Sequence, residues 1–124
     1  MATYRYLDDF TTGDTYMLIR MVPYVPEGFF IEEAWWTVKE SMTDTDAESM
    51  FSLCITLSGS ANGEVTNYPD GTSRLRFIAQ PSNSLMMSPS STYYYDVHVN
   101  LSSGDKYQLE YGKIFTGYTV RQVH

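Results

Sequence analysis

The chain has 124 residues, of which 43% are hydrophobic and 19% charged, as is typical of one globular domain with a packed core. Eight basic and fifteen acidic residues give a net charge of −7, which argues against nucleic acid or an anionic membrane as partner. There is no apolar run long enough to span a membrane, no secretory signal pattern in residues 1–10, and one cysteine, Cys54, too few for an internal disulfide. We therefore predict a single domain over residues 1–124.

Short runs rich in Tyr, Thr, Val, Ile and Phe alternate with turn residues along the chain, a pattern typical of an all-β sandwich or barrel. We predict strands at about residues 15–23, 31–39, 50–57, 63–67, 73–79, 92–101, 106–111 and 113–121. Ser41–Met50 has no strand pattern, and its Ser, Thr and acidic residues favour a short helix around residues 42–50. A further turn of helix is expected over residues 82–86, after Pro81.

Period-two alternation assigns the residues of these strands to two faces. The face predicted to be the core carries large apolar side chains on three of the runs: Trp36, Val38, Phe77, Tyr93, Tyr95 and Val97. Three aromatic side chains fall on the opposite, outward faces, namely Trp35, Tyr94 and Phe115. Because Tyr and Trp are enriched at protein interfaces, we interpret these three as candidate interface residues in preference to a glycan-binding surface.

The sequence offers little for catalysis or metal binding. His98 and Asp96 are spaced on one strand face as a base and its orienting carboxylate would be, but no nucleophile motif accompanies them. Cys54 lies in an apolar run and is expected to be buried and unreactive. The carboxylates of Asp44, Asp46 and Glu48 lack the glycine and distal glutamate of a calcium loop. We predict no catalytic residue, metal site or cofactor, and no enzymatic activity.

The order of several short motifs resembles a known group of proteins. Ala34–Lys39 (AWWTVK) runs into the acidic segment, and Thr92–Val97 (TYYYDV) follows. The chain closes with Gly112, which is predicted in a turn, and with a last strand that includes Ile114 and Val120. Three further short motifs belong to this ordered set and lie earlier in the chain than residue 92: Gly13-Asp14-Thr15, Gly63-Glu64-Val65 and Leu75-Arg76-Phe77. This order resembles small immunoglobulin-like β-sandwich proteins of tailed-phage virions, related to the N-terminal domain of upper-baseplate proteins.

The resemblance implies an immunoglobulin-like antiparallel β-sandwich that is a structural protein of the virion, in the tail, baseplate or neck. Such a protein acts through assembly contacts with other virion proteins and with copies of itself, and it is assembled in the bacterial cytoplasm. Two alternatives remain open: a capsid decoration protein, and a carbohydrate-binding module for the host surface. A carbohydrate-binding module should have an exposed aromatic cleft with Asn, Asp or Arg nearby.

Overall fold

The computed structural model describes residues 2–23, 25–26, 28–41, 43 and 48–117, and every structural statement refers to these. They form eight strands: β1 (Thr3–Thr11), β2 (Tyr16–Val22), β3 (Ile31–Lys39), β4 (Phe51–Thr56), β5 (Gly63–Asn67), β6 (Ser73–Ala79), β7 (Thr92–Leu101) and β8 (Lys106–Gly117). One turn of 3₁₀ helix, Pro81–Ser84, lies between β6 and β7. No helix within these residues is long and apolar enough to cross a membrane.

The strands form two packed sheets. The larger sheet has the order β1-β8-β7-β3-β4 and the smaller has the order β2-β6-β5. Neighbouring strands pair antiparallel except β1 and β8, which pair parallel. Because β2-β6-β5 and β8-β7-β3 follow the B-E-D and G-F-C orders of immunoglobulin domains, the predicted immunoglobulin-like sandwich is confirmed.

Trp36 on β3 lies at the centre of the core between the sheets and is fully buried. Four aromatic rings surround it, with centroids 5.2–6.3 Å from its own: Phe51, Phe77, Tyr16 and Phe10. The other residues expected in the core are also buried, each no more than 4% exposed: Val38, Phe77, Tyr93, Tyr95 and Val97. The period-two alternation of these strands therefore places their apolar sets inside.

A buried carboxylate ties the two sheets together. Glu110 on β8 is 2% exposed and accepts hydrogen bonds from Tyr95 Oη on β7 (2.5 Å) and from Arg20 Nε on β2 (2.6 Å). Arg5 Nε on β1 lies 3.2 Å from the same carboxylate. Burial raises the pKa of the Tyr95 phenol above its usual range, and its hydrogen bond to Glu110 raises it further. One carboxyl group thus contacts side chains from three other strands, β1, β2 and β7.

A second polar cluster fixes the entry into β7. The backbone N–H of Ser88 donates to Tyr93 Oη (2.6 Å), so the ring at the start of β7 is bonded to the chain five residues upstream. Thr116 Oγ1 on β8 donates to the carbonyl of Ser88 (2.6 Å) and accepts from the N–H of Ser91 (3.0 Å). This arrangement corresponds to the tyrosine corner of immunoglobulin-like domains.

Two strand predictions differ from the structure. β1 was not predicted, because as an edge strand it buries only Leu7 and Phe10 and is otherwise polar or exposed. Residues 106–111 and 113–121 were predicted as separate strands, but β8 runs without interruption through Gly112. Gly112 is needed for close strand approach, not for a turn, since a Cβ there would lie 1.7 Å from the carbonyl oxygen of Arg5.

Other expectations fall partly outside the described residues. Residues 118–121 of the last predicted strand are not described, nor are residues 42 and 44–47 of the expected helical insert, which include Asp44 and Asp46. The helical turn expected over residues 82–86 is present as the 3₁₀ turn Pro81–Ser84, which begins one residue earlier. Leu85 and Met86, the last two residues of the expected turn, follow it and are exposed.

Candidate functional site

The three outward aromatic residues lie on the outer face of the larger sheet, but on different strands. Trp35 on β3 and Phe115 on β8 are each 37% exposed. Tyr94 on β7 is half-buried, and the ammonium group of Lys113 lies 5.9 Å from its ring centroid. Trp35 pairs with His98 on β7, and Phe115 pairs with Thr92 on the same strand. His98 and Thr92 are six residues apart along β7. That separation is about 20 Å, so the three do not form one patch.

A groove crosses the outer face of the larger sheet around Trp35, and we call it the outer groove. Its volume is about 670 Å³, and four strands contribute to it. The lining residues are Glu33, Trp35 and Thr37 on β3, Ser52 on β4, Asp96, His98 and Asn100 on β7, and Lys106 on β8. Trp35 pairs with His98 and Cys54 and is flanked along β3 by Glu33 and Thr37. The indole is therefore central in a field of polar side chains.

Hydrogen bonds hold the side chains of the outer groove in place. The carboxylate of Glu33 accepts from Trp35 Nε1 (3.4 Å) and from the amide of Asn100. The Nδ1 atom of His98 lies 3.5 Å from Asp96 Oδ1, which is the His–Asp proximity that the spacing indicated. On the other side of Trp35, the Thr37 and Ser52 hydroxyls are 3.0 Å apart. The groove is thus pre-ordered, which lowers the entropic cost of binding.

Cys54 lies beside the outer groove and not in the core, contrary to the expectation of a buried thiol. Along β4 the alternation turns Phe51, Leu53 and Ile55 inward and leaves Cys54 half-buried on the outer face. Partial burial raises the pKa of this thiol, and the Glu33 carboxylate, 3.9 Å from Sγ, raises it further. The group is therefore held as a protonated, poorly nucleophilic thiol at neutral pH.

A smaller depression of about 200 Å³ adjoins the outer groove and shares Thr37 and Asp96 with it. It leads toward Tyr94 and Tyr111. Tyr111 is 39% exposed, and the ring of Tyr4 on β1 contacts it edge-on with the centroids 5.4 Å apart. The concave surface thus continues from Trp35 toward a second aromatic group at the β1 side of the sheet.

A different kind of surface lies on the smaller sheet and was missed in the sequence. Met17, Ile19 and Met21 on β2 are 51%, 45% and 53% exposed, and we call them the β2 strip. The one charged residue of this strand, Arg20, faces inward to meet Glu110. The sequence did contain a signal for it, because β2 has apolar residues on both of its faces. Only one face of the strand packs on the core, so the apolar residues of the other face are exposed.

The described residues contain no group of three or more His, Cys, Asp or Glu side chains placed to hold a metal ion. No protein-family model matches the chain, and no curated protein is detectably similar to it in sequence. Function must therefore be inferred from the outer groove, the β2 strip and the order of the sequence motifs.

Proposed function

We propose that the protein is a structural component of a tailed-phage virion, in the tail, baseplate or neck, and that it acts by docking onto copies of itself and other virion proteins. The order of sequence motifs supports the virion assignment. The observation that carries the docking role is the β2 strip, because three large apolar side chains are exposed side by side on one strand.

The surroundings of the β2 strip are those of a protein interface. Met17 pairs with the half-buried Ile78 on β6, which widens the apolar area. Ile19 and Met21 pair with Arg76 and Arg74, which surround the apolar residues with charge. The Arg76 guanidinium is itself held by Glu64 on β5 at 2.6 and 2.8 Å. An apolar centre with methionine and a polar rim is the usual composition of a protein–protein contact.

The backbone of β2 adds a second means of docking. Within the described residues β2 has one hydrogen-bonded neighbour, β6, so its other edge presents unpaired N–H and C=O groups. Tyr16–Val22 contains no proline or lysine, and its one charged residue, Arg20, is already bound to Glu110 inside the sandwich. A strand from a second subunit can therefore pair with β2 while its side chains cover the β2 strip. The net charge of −7 keeps free subunits apart before this contact forms.

The mass of the protein in solution tests the docking role. Size-exclusion chromatography with light scattering over a wide concentration range should show oligomers for the wild type and a monomer for Ile19→Asp. Leu57→Asp is the matched control, because Leu57 is 50% exposed but lies outside β2, and its mass should follow the wild type. Equal effects of the two substitutions, or a wild type that stays monomeric, would argue against the β2 strip as the contact.

The virion assignment needs a separate measurement. Phage particles purified from the organism that encodes this chain should yield its peptides by mass spectrometry, at a stoichiometry that fits a symmetric ring or lattice. Particles without these peptides would overturn the proposal that the protein is a virion component.

A further inference from the structure

The outer groove differs in chemistry from the β2 strip. Seven of its eight lining side chains are polar or charged, and the exception is Trp35. Cores of protein interfaces are depleted of charged residues, whereas this groove has the carboxylates of Glu33 and Asp96 on either side of its one aromatic ring. It is therefore suited to a ligand that combines one apolar face with many hydroxyl groups.

Trp35 provides the apolar contact. Its side chain is 37% exposed at the centre of the groove, and the hydrogen bond from Nε1 to Glu33 restrains the ring. An exposed indole offers a large flat surface at little cost in side-chain entropy, and the C–H face of a pyranose ring has the shape and polarity to pack on it. Trp35 is thus placed as a platform for one sugar ring.

Hydrogen-bonding groups lie on both sides of this platform. Glu33 and Asn100 pair across β3 and β7 on one side, and Thr37 and Asp96 pair on the other. Carboxylates accept from sugar hydroxyls and the Asn100 amide can both donate and accept, whereas the Thr37 hydroxyl is buried against Ser52. The volume of about 670 Å³ and the adjoining depression toward Tyr94 give room for more than one ring.

The geometry points to a neutral oligosaccharide as the ligand of the outer groove, with Trp35 as the stacking platform and Glu33, Asp96 and Asn100 as hydroxyl partners. The groove is lined by two carboxylates, Glu33 and Asp96, and one ammonium group, Lys106, and the chain has a net charge of −7, so sugars that carry carboxylates or sulfates are disfavoured. This site goes beyond the proposed assembly role. Because the groove lies on the larger sheet and the β2 strip on the smaller one, both surfaces can be occupied together.

The test begins with an array of immobilised oligosaccharides, one set built from glucose, galactose, mannose and rhamnose and a second set containing sialic or uronic acids. The full chain should bind members of the neutral set. The best binder is then titrated in solution while tryptophan fluorescence is followed, because Trp35 is exposed and Trp36 is buried. We expect the fluorescence emission of Trp35 to change when the sugar binds. Trp35→Ala removes the stacking platform and should weaken sugar binding about tenfold.

Matched variants separate the groove from the rest of the sheet. Phe115→Ala removes an aromatic residue of equal exposure from the same outer face and should leave sugar affinity unchanged. Trp35→Tyr keeps a ring and should restore part of the affinity lost in Trp35→Ala, which distinguishes stacking from a fault in folding. Asp96→Asn keeps the size of the side chain and should also weaken binding.

Four outcomes would overturn this inference, and three of them concern binding: no binding to the neutral set at millimolar sugar, stronger binding to the acidic set, or equal loss of affinity in Trp35→Ala and Phe115→Ala. If Trp35→Ala instead lowers the mass measured by light scattering, the groove is a protein interface and the inference is wrong. None of these results alters the Ile19→Asp experiment, so the failure of the sugar site and the failure of the assembly role can be told apart.

Discussion

Trp35 and Trp36 are adjacent in the chain but lie on opposite faces of β3. Trp36 is fully buried among aromatic rings between the two sheets, whereas Trp35 is 37% exposed at the centre of the outer groove. The pleat of a strand alone produces this difference, because successive side chains point to opposite faces. One dipeptide thus supplies both the centre of the core and the platform of the candidate sugar site.

This relationship predicts unequal effects of two alanine substitutions. Trp36→Ala should lower the free energy of unfolding by about 3–5 kcal/mol, because it leaves a large cavity in the core. Trp35→Ala and Tyr94→Ala should cost far less, since both side chains lie on the outer face. Urea denaturation of the three variants measures the difference. Similar losses for Trp36→Ala and Tyr94→Ala would show that the assignment of faces is wrong.

The Glu110 cluster predicts a large cost for removing one carboxylate. Glu110→Ala leaves Arg20 and the Tyr95 hydroxyl without their partner inside the sandwich, and we expect a loss on the order of 3 kcal/mol. Glu64→Ala is the matched control, because Glu64 also binds an arginine but its side chain is 27% exposed against 3% for Glu110. Glu64→Ala should therefore lower the free energy of unfolding much less than Glu110→Ala does. Chemical denaturation that gives equal losses would contradict a structural role for the buried cluster.

Gly112 predicts a steric requirement in β8. Gly112→Ala would place a methyl group 1.7 Å from the Arg5 carbonyl oxygen, so β1 must move away and the protein should lose about 1–3 kcal/mol or more. Gly117→Ala lies on the same strand but meets nothing closer than 3.9 Å, and it should be nearly neutral. Hydrogen exchange of the β1 amides measures the effect, and unchanged protection in Gly112→Ala would refute it.

Two partly buried tyrosines predict a loss of stability at alkaline pH. Burial raises the pKa of Tyr16 and Tyr95 in the folded state, as do their hydrogen bonds to Asp9 and Glu110. In the unfolded chain both titrate near their ordinary pKa of about 10. Deprotonation therefore favours the unfolded state. The contribution of the two phenols to the free energy of unfolding is fully present below about pH 10 and is lost as the pH rises above it.

Tyr16→Phe removes one of these groups and should make the alkaline decline shallower, as followed by thermal unfolding from pH 8 upward. Tyr6→Phe, at an exposed position on β1, serves as the control for the substitution itself. A decline of the same steepness in Tyr16→Phe and in the wild type would contradict the role given to Tyr16.

Much of the fold was predictable from local patterns. Six strands, β2 to β7, lie within one residue of the predicted bounds at each end. These strands could be predicted because the alternation of apolar and polar side chains in a half-buried strand is visible in its own few residues. Ser73–Ala79 shows it, with Leu75 and Phe77 inside and Arg74 and Arg76 outside. The candidate site was harder to predict. Trp35 was expected to face outward, but the polar residues around it come from four strands, so their proximity depends on the tertiary structure.

The sequence by itself thus determined the strands β2 to β7 and the side of β3, β6 and β7 that meets the core, because burial of apolar side chains at a period of two is a local property. The tertiary structure alone decided the rest. Arg20 lies on the inward face of β2 with the buried Leu18 and Val22, and Glu110, ninety residues away, binds it there while Met17, Ile19 and Met21 face outward. Gly112 reads locally as a turn until β1 lies against it. Such features depend on contacts between residues far apart in the chain, which no local pattern records.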